Sequence, residues 1–233
     1  MKKQLLLIVA THGNEPIGLE AVKNLENLGL DKYFDVLIAN PKALKNKKRF
    51  IEADLNRSYP GRKNSKVYEQ RIAYGNLKIA RQYRYIIDIH EASQGRDDFI
   101  IVPREKLSKK FPLSSIRLNK ILLWPDPKGP ISQILKNSIE LEFGMKNRSR
   151  EKIVKKATDI IDIFIKAIYG KKKQKYQQEI FYVYDKLMST ELKKKKIFLK
   201  DFKLTKLNNE AFYPLLTGQY KKDGIACYKM IKK

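Results

Sequence analysis

Cysteine is almost missing from this chain. Cys227 is the single one in 233 residues. That excludes a disulfide framework and any cysteine-rich zinc module, and it fits a reducing, cytoplasmic location. Histidine is nearly as scarce, with two. Long apolar runs are absent as well: none approaches the roughly 20 residues that a membrane span requires, so no membrane role is expected. Lys2-Lys3 followed by Leu5 to Ala10 resembles a signal peptide only superficially, because the stretch is short and His12 and Glu15 follow at once. Acidic residues are few, 25 against 50 Lys and Arg, for a net charge of +25. Such a balance suggests nucleic acid as a partner. The excess is mostly lysine, however, in short runs such as Lys171-Lys172-Lys173 and Lys193 to Lys196. These lack the interleaved aromatics that single-strand binders use for stacking. Non-selective, salt-sensitive attraction to anions is expected, and specific nucleic-acid binding is not.

What is present is a chain that is 42% hydrophobic, enough for a sizeable core, which excludes disorder as a class. Gln4 to Ala10 is a continuous apolar run of strand length, as a parallel strand buried on both faces requires. Pro16 to Leu30 predicts a helix, with Ile17, Ala21, Leu25 and Leu28 at helical spacing. Phe34 to Ala39 predicts a second strand, and Lys42 to Gly61 reads as loop. A helix is expected over Ser65 to Gln82. Strands are expected over Tyr85 to Ile89, Phe99 to Val102, Ile121 to Trp124 and Ser138 to Phe143. Glu151 to Tyr169 carries the clearest helical stripe, with Gly170 placed to cap it. A basic linker, Lys171 to Lys175, then precedes short β-rich runs at Ile180 to Tyr184, Ile197 to Phe202, Phe212 to Leu216 and Ala226 to Ile231. The fold class expected is α/β: a mostly parallel or mixed sheet with flanking helices over residues 1–170, plus a small β-rich C-terminal part over 171–233.

Both histidines share one structural address. His12 follows the first strand and His90 the strand Tyr85 to Ile89, and open parallel sheets bind ligands outside the carboxyl ends of their strands. Glu15 stands three residues after His12. Two His and one Glu leave a fourth position open on a tetrahedral zinc, the catalytic rather than the structural arrangement. Asp88, two residues before His90, or a backbone carbonyl is available to orient a ligand imidazole. A lone histidine after a strand also serves as a helix cap or a gap filler, and His-x-x-Glu is a short pattern. Two further segments bear on the choice. Arg49, Asn56 and Arg57 lie on one predicted loop, and arginine suits bidentate carboxylate recognition, although a solvated basic loop is the plainer reading. Glu140 and Glu142 alternate onto one face of an otherwise apolar strand, where an unpaired carboxylate is costly. A general base beside a metal site supplies a reason for Glu142; pairing with a nearby Lys or Arg supplies another.

Taken together, Thr11-His12-Gly13-Asn14-Glu15, Asp54-Leu55-Asn56-Arg57, Asp88-Ile89-His90-Glu91 and Glu140-Leu141-Glu142-Phe143-Gly144 resemble, in kind and order, the succinylglutamate desuccinylase/aspartoacylase family of zinc carboxypeptidase-like hydrolases. The resemblance covers residues 4 to 170 in outline, with Tyr213-Pro214 and Tyr220-Lys221-Lys222 similar to the family's C-terminal part. It implies one Zn2+ held by His12, Glu15 and His90. It implies Glu142 as general base, activating the attacking water and passing its proton to the leaving amine. Arg49 would polarise the scissile carbonyl, Asn56 and Arg57 would bind a substrate carboxylate, and Tyr220 would touch substrate. Metal and arginine would then share the developing negative charge.

The chain departs from the pattern in being short and in showing no arginine within Asp126 to Ser138, where Lys128 or Lys136 is a less directional substitute. The expected activity is zinc-dependent hydrolysis of the amide of a small anionic N-acyl amino acid, with a pH optimum near neutrality. A carboxypeptidase-like peptidase and a non-catalytic basic binding protein are the alternatives. Cobalt and manganese suit the same donors, and a homo-oligomer is compatible with the sequence.

Overall fold

Strands that are apolar at every position need cover on both faces, and the chain supplies it. The computed structural model describes residues 3–103, 111–125, 129–170, 175–192 and 197–233. The elements in order are β1 (Leu5–Val9), α1 (Ile17–Asn27), β2 (Phe34–Ile38), α2 (Pro41–Lys45), α3 (Tyr68–Ala80), β3 (Tyr85–Ala92), β4 (Phe99–Pro103) and β5 (Lys120–Trp124). They continue with α4 (Ile131–Ile134), β6 (Ser138–Gly144), α5 (Arg150–Tyr169), β7 (Glu179–Met188), α6 (Ser189–Leu192), β8 (Thr205–Leu207), β9 (Glu210–Leu215) and β10 (Ile225–Lys232).

The strands form one mixed sheet in the order β2-β1-β3-β6-β4-β5-β7-β10-β9-β8. β1, β2, β3 and β6 run parallel, β4 turns against β6, and β5 and β7 continue parallel from β4. Because strand side chains alternate, Leu5, Leu7 and Val9 pack with α1 and α5 on one face, while Leu6 and Ile8 pack with Ala73 and Leu77 of α3 on the other. That two-sided burial explains why β1 reads as an unbroken apolar run. The stripe Ile153, Ala157, Ile160, Ile161 and Phe164 on α5 is buried in the first of these layers.

Most of the expected elements form, some with shifted ends, and three segments differ more. The 42–61 segment is not all loop: it contains α2, capped by Asn40 Oδ1, which accepts from Ala43 N at 3.1 Å, and a single 3-10 turn over Leu55–Arg57. The helix expected from Ser65 begins later, at Tyr68, and ends at Ala80. The strand expected over Ile197 to Phe202 does not form. Asp201 instead accepts hydrogen bonds from Leu216 N at 3.1 Å and Thr217 N at 2.9 Å, and Phe202 takes a left-handed φ of 59°. The segment thus braces a loop, with Ile197, Leu199 and Phe202 packed against buried clusters and Phe198 exposed. β7 pairs with β5, so the strands beyond residue 175 extend the same sheet. Residues 171–174 of the basic linker, the Lys193 to Lys196 run and Lys128 lie outside the described residues. Among the described residues no helix is long and apolar enough to cross a membrane.

Candidate active site

The carboxyl ends of β1, β3 and β6 meet in one place. His12 leaves β1 through a turn in which Gly13 is forced: a Cβ there would lie 2.0 Å from the backbone of Ala43, within α2. That turn brings Glu15 back under His12, with Glu15 N donating to His12 O at 3.1 Å. His90 lies near the end of β3 rather than beyond it, since this strand continues to Ala92. His12 Nδ1 is 2.8 Å from Glu15 Oε1, and His90 Nδ1 is 3.1 Å from Glu15 Oε2. All three residues are buried, and their ligand atoms lie within 4.8 Å of one another.

The far nitrogen of each ring also faces a carboxylate. His12 Nε2 is 3.2 Å from Asp54 Oδ1. His90 Nε2 is 3.2 Å from Asp88 Oδ2 and, among the described residues, makes no hydrogen bond. Asp88 is itself held by Thr11 Oγ1 at 2.9 and 3.1 Å. Burial opposes the charged form of both rings, but Glu15 and Asp54 around His12, and Asp88 and Glu15 around His90, outweigh it and raise both pKa values. Burial likewise favours a neutral Glu15, and the two imidazoles overcome it, holding Glu15 well below the carboxylate range.

Asp54, which the sequence marks only as a member of the Asp54-Leu55-Asn56-Arg57 motif, is the hub of the second side of the site. Besides His12, its carboxylate accepts from Asn56 N at 2.9 Å and from Arg49 Nε and Nη2 at 3.2 and 3.0 Å. Arg49 Nη1 also reaches Glu15 Oε1 at 3.5 Å. The loop itself is shaped from below by Glu69 of α3. This buried carboxylate accepts from three consecutive backbone donors, Ile51, Glu52 and Ala53, at 2.7, 3.1 and 3.0 Å, and from Asn40 Nδ2 at 3.3 Å. The sequence shows Glu69 only as an acidic residue within the expected Ser65 to Gln82 helix; its burial and its partners are set by tertiary structure.

Glu142 is half-buried at the floor of the pocket that His12, Glu15, Arg49, Asn56 and Arg57 also line. Among the described residues no Lys or Arg forms an ion pair with it. Burial, together with the charges of Glu15 and Glu140, pushes its pKa up to about 8 against the pull of His90. Glu140 lies beside it, fully buried, bonded by Ser132 Oγ and 3.8 Å from His90 Nε2. Glu91 accepts from Ile17 N at 2.6 Å and anchors the start of α1. Tyr220 lines the pocket from the loop between β9 and β10, and Gln219 ties that loop down by accepting from Gln94 N at 2.9 Å. Burial and the Glu142 charge push the Tyr220 hydroxyl up to about 12. Lys136 is exposed and does not line the pocket.

Comparison with solved structures places the fold among the aminoacylase and desuccinylase hydrolases. Murine aminoacylase 3 matches over 99% of this chain and 95% of its own, with a TM-score of 0.74 and 17% identity. The succinylglutamate desuccinylase from Chromobacterium violaceum matches over 99% and 85%, with a TM-score of 0.75 and 18% identity. The family model for the succinylglutamate desuccinylase/aspartoacylase catalytic domain matches residues 1–168, and the chain belongs to that family, whose members are amide hydrolases. A curated relative from Prochlorococcus marinus (strain MIT 9312), named probable aspartoacylase, is 29% identical over 135 residues, 51% of this chain and 44% of the relative. Another of that name from Acaryochloris marina (strain MBIC 11017) is 41% identical over 63 residues, 24% of this chain and 21% of its own. In these matches the chain spans less than half the length of the curated relatives.

Proposed function

We propose that this protein is a zinc-dependent hydrolase of the amide bond in a small anionic N-acyl amino acid. The observation that carries the reading is the convergence of His12 Nδ1, His90 Nδ1 and the Glu15 carboxylate on one point beside Glu142. Two imidazole nitrogens aimed at one carboxylate, all buried, match the His2Glu donor set of a catalytic zinc with an open position. Zinc held there supplies a Lewis acid at the scissile carbonyl and a positive charge that favours deprotonation of a nearby water.

The chain's own residues divide the remaining work. Glu142, raised toward neutrality, takes the proton of the attacking water and returns it to the departing amine nitrogen. Arg49, fixed by two bonds to Asp54, presents the rest of its guanidinium to the carbonyl oxygen as negative charge grows there. Asn56 and Arg57, on the turn that Asp54 caps, take the substrate carboxylate. Tyr220 and Gln219 limit the pocket from the C-terminal side. The net positive charge draws anionic substrates toward this opening. The buried, unpaired Cys227 supports a reducing, cytoplasmic setting.

The test is amine release by the zinc-loaded protein from N-acetyl and N-succinyl amino acids beside dipeptides with a free C-terminus. Turnover of the N-acyl amino acids is expected. Turnover confined to the dipeptides would make the protein a carboxypeptidase, and none at all would leave a binding protein.

A further inference from the structure

Glu140 lines the pocket beside Glu142, and the hydrolytic chemistry gives it no task. Asp88 and Glu140 are opposite each other in the parallel pairing of β3 with β6, and His90 and Glu142 are opposite each other two residues further on. Strand side chains alternate, so all four stand on one face of the sheet. Asp88, His90 and Glu140 are 0%, 1% and 3% exposed. Among the described residues no Lys or Arg forms an ion pair with Glu140; it faces His90, whose Nε2 is 3.8 Å from Glu140 Oε2. The other oxygen, Oε1, accepts from Ser132 Oγ. Ser132 is fully buried on α4, next to Ile131, which belongs to the same buried cluster as Leu6, Ile8 and Ile86. The serine that fixes this carboxylate is thus itself fixed to the sheet.

The two histidines differ on their far sides. Both aim Nδ1 at Glu15, and an Nδ1 that binds a metal carries no proton, which leaves the ring proton on Nε2. For His12 that proton has an acceptor, Asp54 Oδ1 at 3.2 Å. His90 Nε2 is buried and, among the described residues, makes no hydrogen bond, with Asp88 Oδ2 at 3.2 Å and Glu140 Oε2 at 3.8 Å. Asp88 is already engaged at both oxygens by Thr11 Oγ1, whereas Ser132 engages only Oε1 of Glu140. Burying a carboxylate is costly unless it is paired, and His90 is the partner that explains this one. We propose that Glu140 is a positioning residue for His90: together with Asp88 it holds the imidazole proton on Nε2 and so keeps Nδ1 open for the metal. The proposal rests on the metal reading given above, and it adds a second carboxylate behind one ligand where His12 has a single one.

The chain has two histidines, so long-range 1H–15N NMR of the labelled protein reads each ring separately. Glu140→Gln keeps the length of the side chain and removes its charge; Ser132→Ala keeps the charge and releases the carboxylate. Zinc affinity is measured by competition with a chromogenic chelator, the melting temperature is taken on the metal-free protein, and the ring signals are recorded on the zinc-loaded protein. Glu140→Gln should lower zinc affinity by about 10- to 100-fold, and Ser132→Ala should lower it in the same direction but less. The metal-free melting temperature of Glu140→Gln should stay within about 3 °C of wild type or rise, because a buried charge has been removed. The His90 Nε2–H signal should move upfield and exchange faster with water, while the His12 signal stays in place. Unchanged zinc affinity with an unmoved His90 signal would overturn the proposal and leave the metal reading intact. A fall in metal-free stability with both ring signals unmoved would overturn it too, by reducing Glu140 to a structural residue. Wild-type protein that binds no zinc would overturn the metal reading and the proposal together.

Discussion

His12 and His90 turn the same ring nitrogen, Nδ1, toward opposite oxygens of Glu15, at 2.8 and 3.1 Å, and each turns its Nε2 toward an aspartate. An imidazole bonded by a carboxylate on its far side, as Asp54 bonds His12, is the usual support of a metal ligand. Metal binding should therefore stabilise the fold by mass action, by about 4 kcal/mol when free zinc exceeds its dissociation constant a thousandfold. Chelator-treated protein should melt lower and recover on addition of zinc, and His90→Ala should lose that recovery. Equal melting temperatures with and without zinc in the wild type would count against the site.

Asp54 joins the metal side of the site to the substrate side, because one carboxylate holds His12, Arg49 and the turn carrying Asn56. Asp54→Asn keeps the size and loses the charge. It should cost about 10- to 100-fold in metal affinity or activity, measured by competition with a chromogenic chelator and by kcat/KM. A variant with wild-type values for both would reduce Asp54 to a turn cap.

Glu69, which is not one of the candidate metal donors, gives a pH signature of its own. Burial would raise its pKa, but the backbone N–H groups of Ile51 and Ala53, the Asn40 amide and Glu52 N outweigh burial and hold it below the ordinary value. A folded-state pKa lower than the unfolded one means stability that is fully present above about pH 4.3 and is lost as pH falls through the folded value. Glu69→Gln should be less stable at neutral pH by roughly 1 to 3 kcal/mol, and its loss on acidification should be shallower. Urea midpoints at neutral pH and below the Glu pKa check both, and parallel acid profiles would refute the assignment.

Much of this could be read before folding. β1, β3 and β6 announced themselves as apolar runs because both faces of the sheet are covered, and α5 because one face of it is. His12 and Glu15 were legible because their three-residue spacing is closed by a local turn. What stayed hidden depends on distant segments meeting. Glu69 reaches Ile51 to Ala53 from α3, and the Trp124–Tyr228 pair spans β5 and β10, which are separated by β7 in the sheet. The Ile197 to Phe202 run has strand composition, but Asp201 commits its neighbourhood to bracing Leu216 and Thr217, so local propensity lost to a tertiary clamp.

Glu142, on the present reading, works as a base beside a metal it does not hold. The direct measurement is zinc content and the rate of amine release from an N-acyl amino acid on the same preparations of wild type and Glu142→Gln. Equal zinc in both is expected, with a rate reduced by roughly 100- to 10,000-fold in the variant. A variant that binds zinc and turns over at the wild-type rate would contradict the assignment.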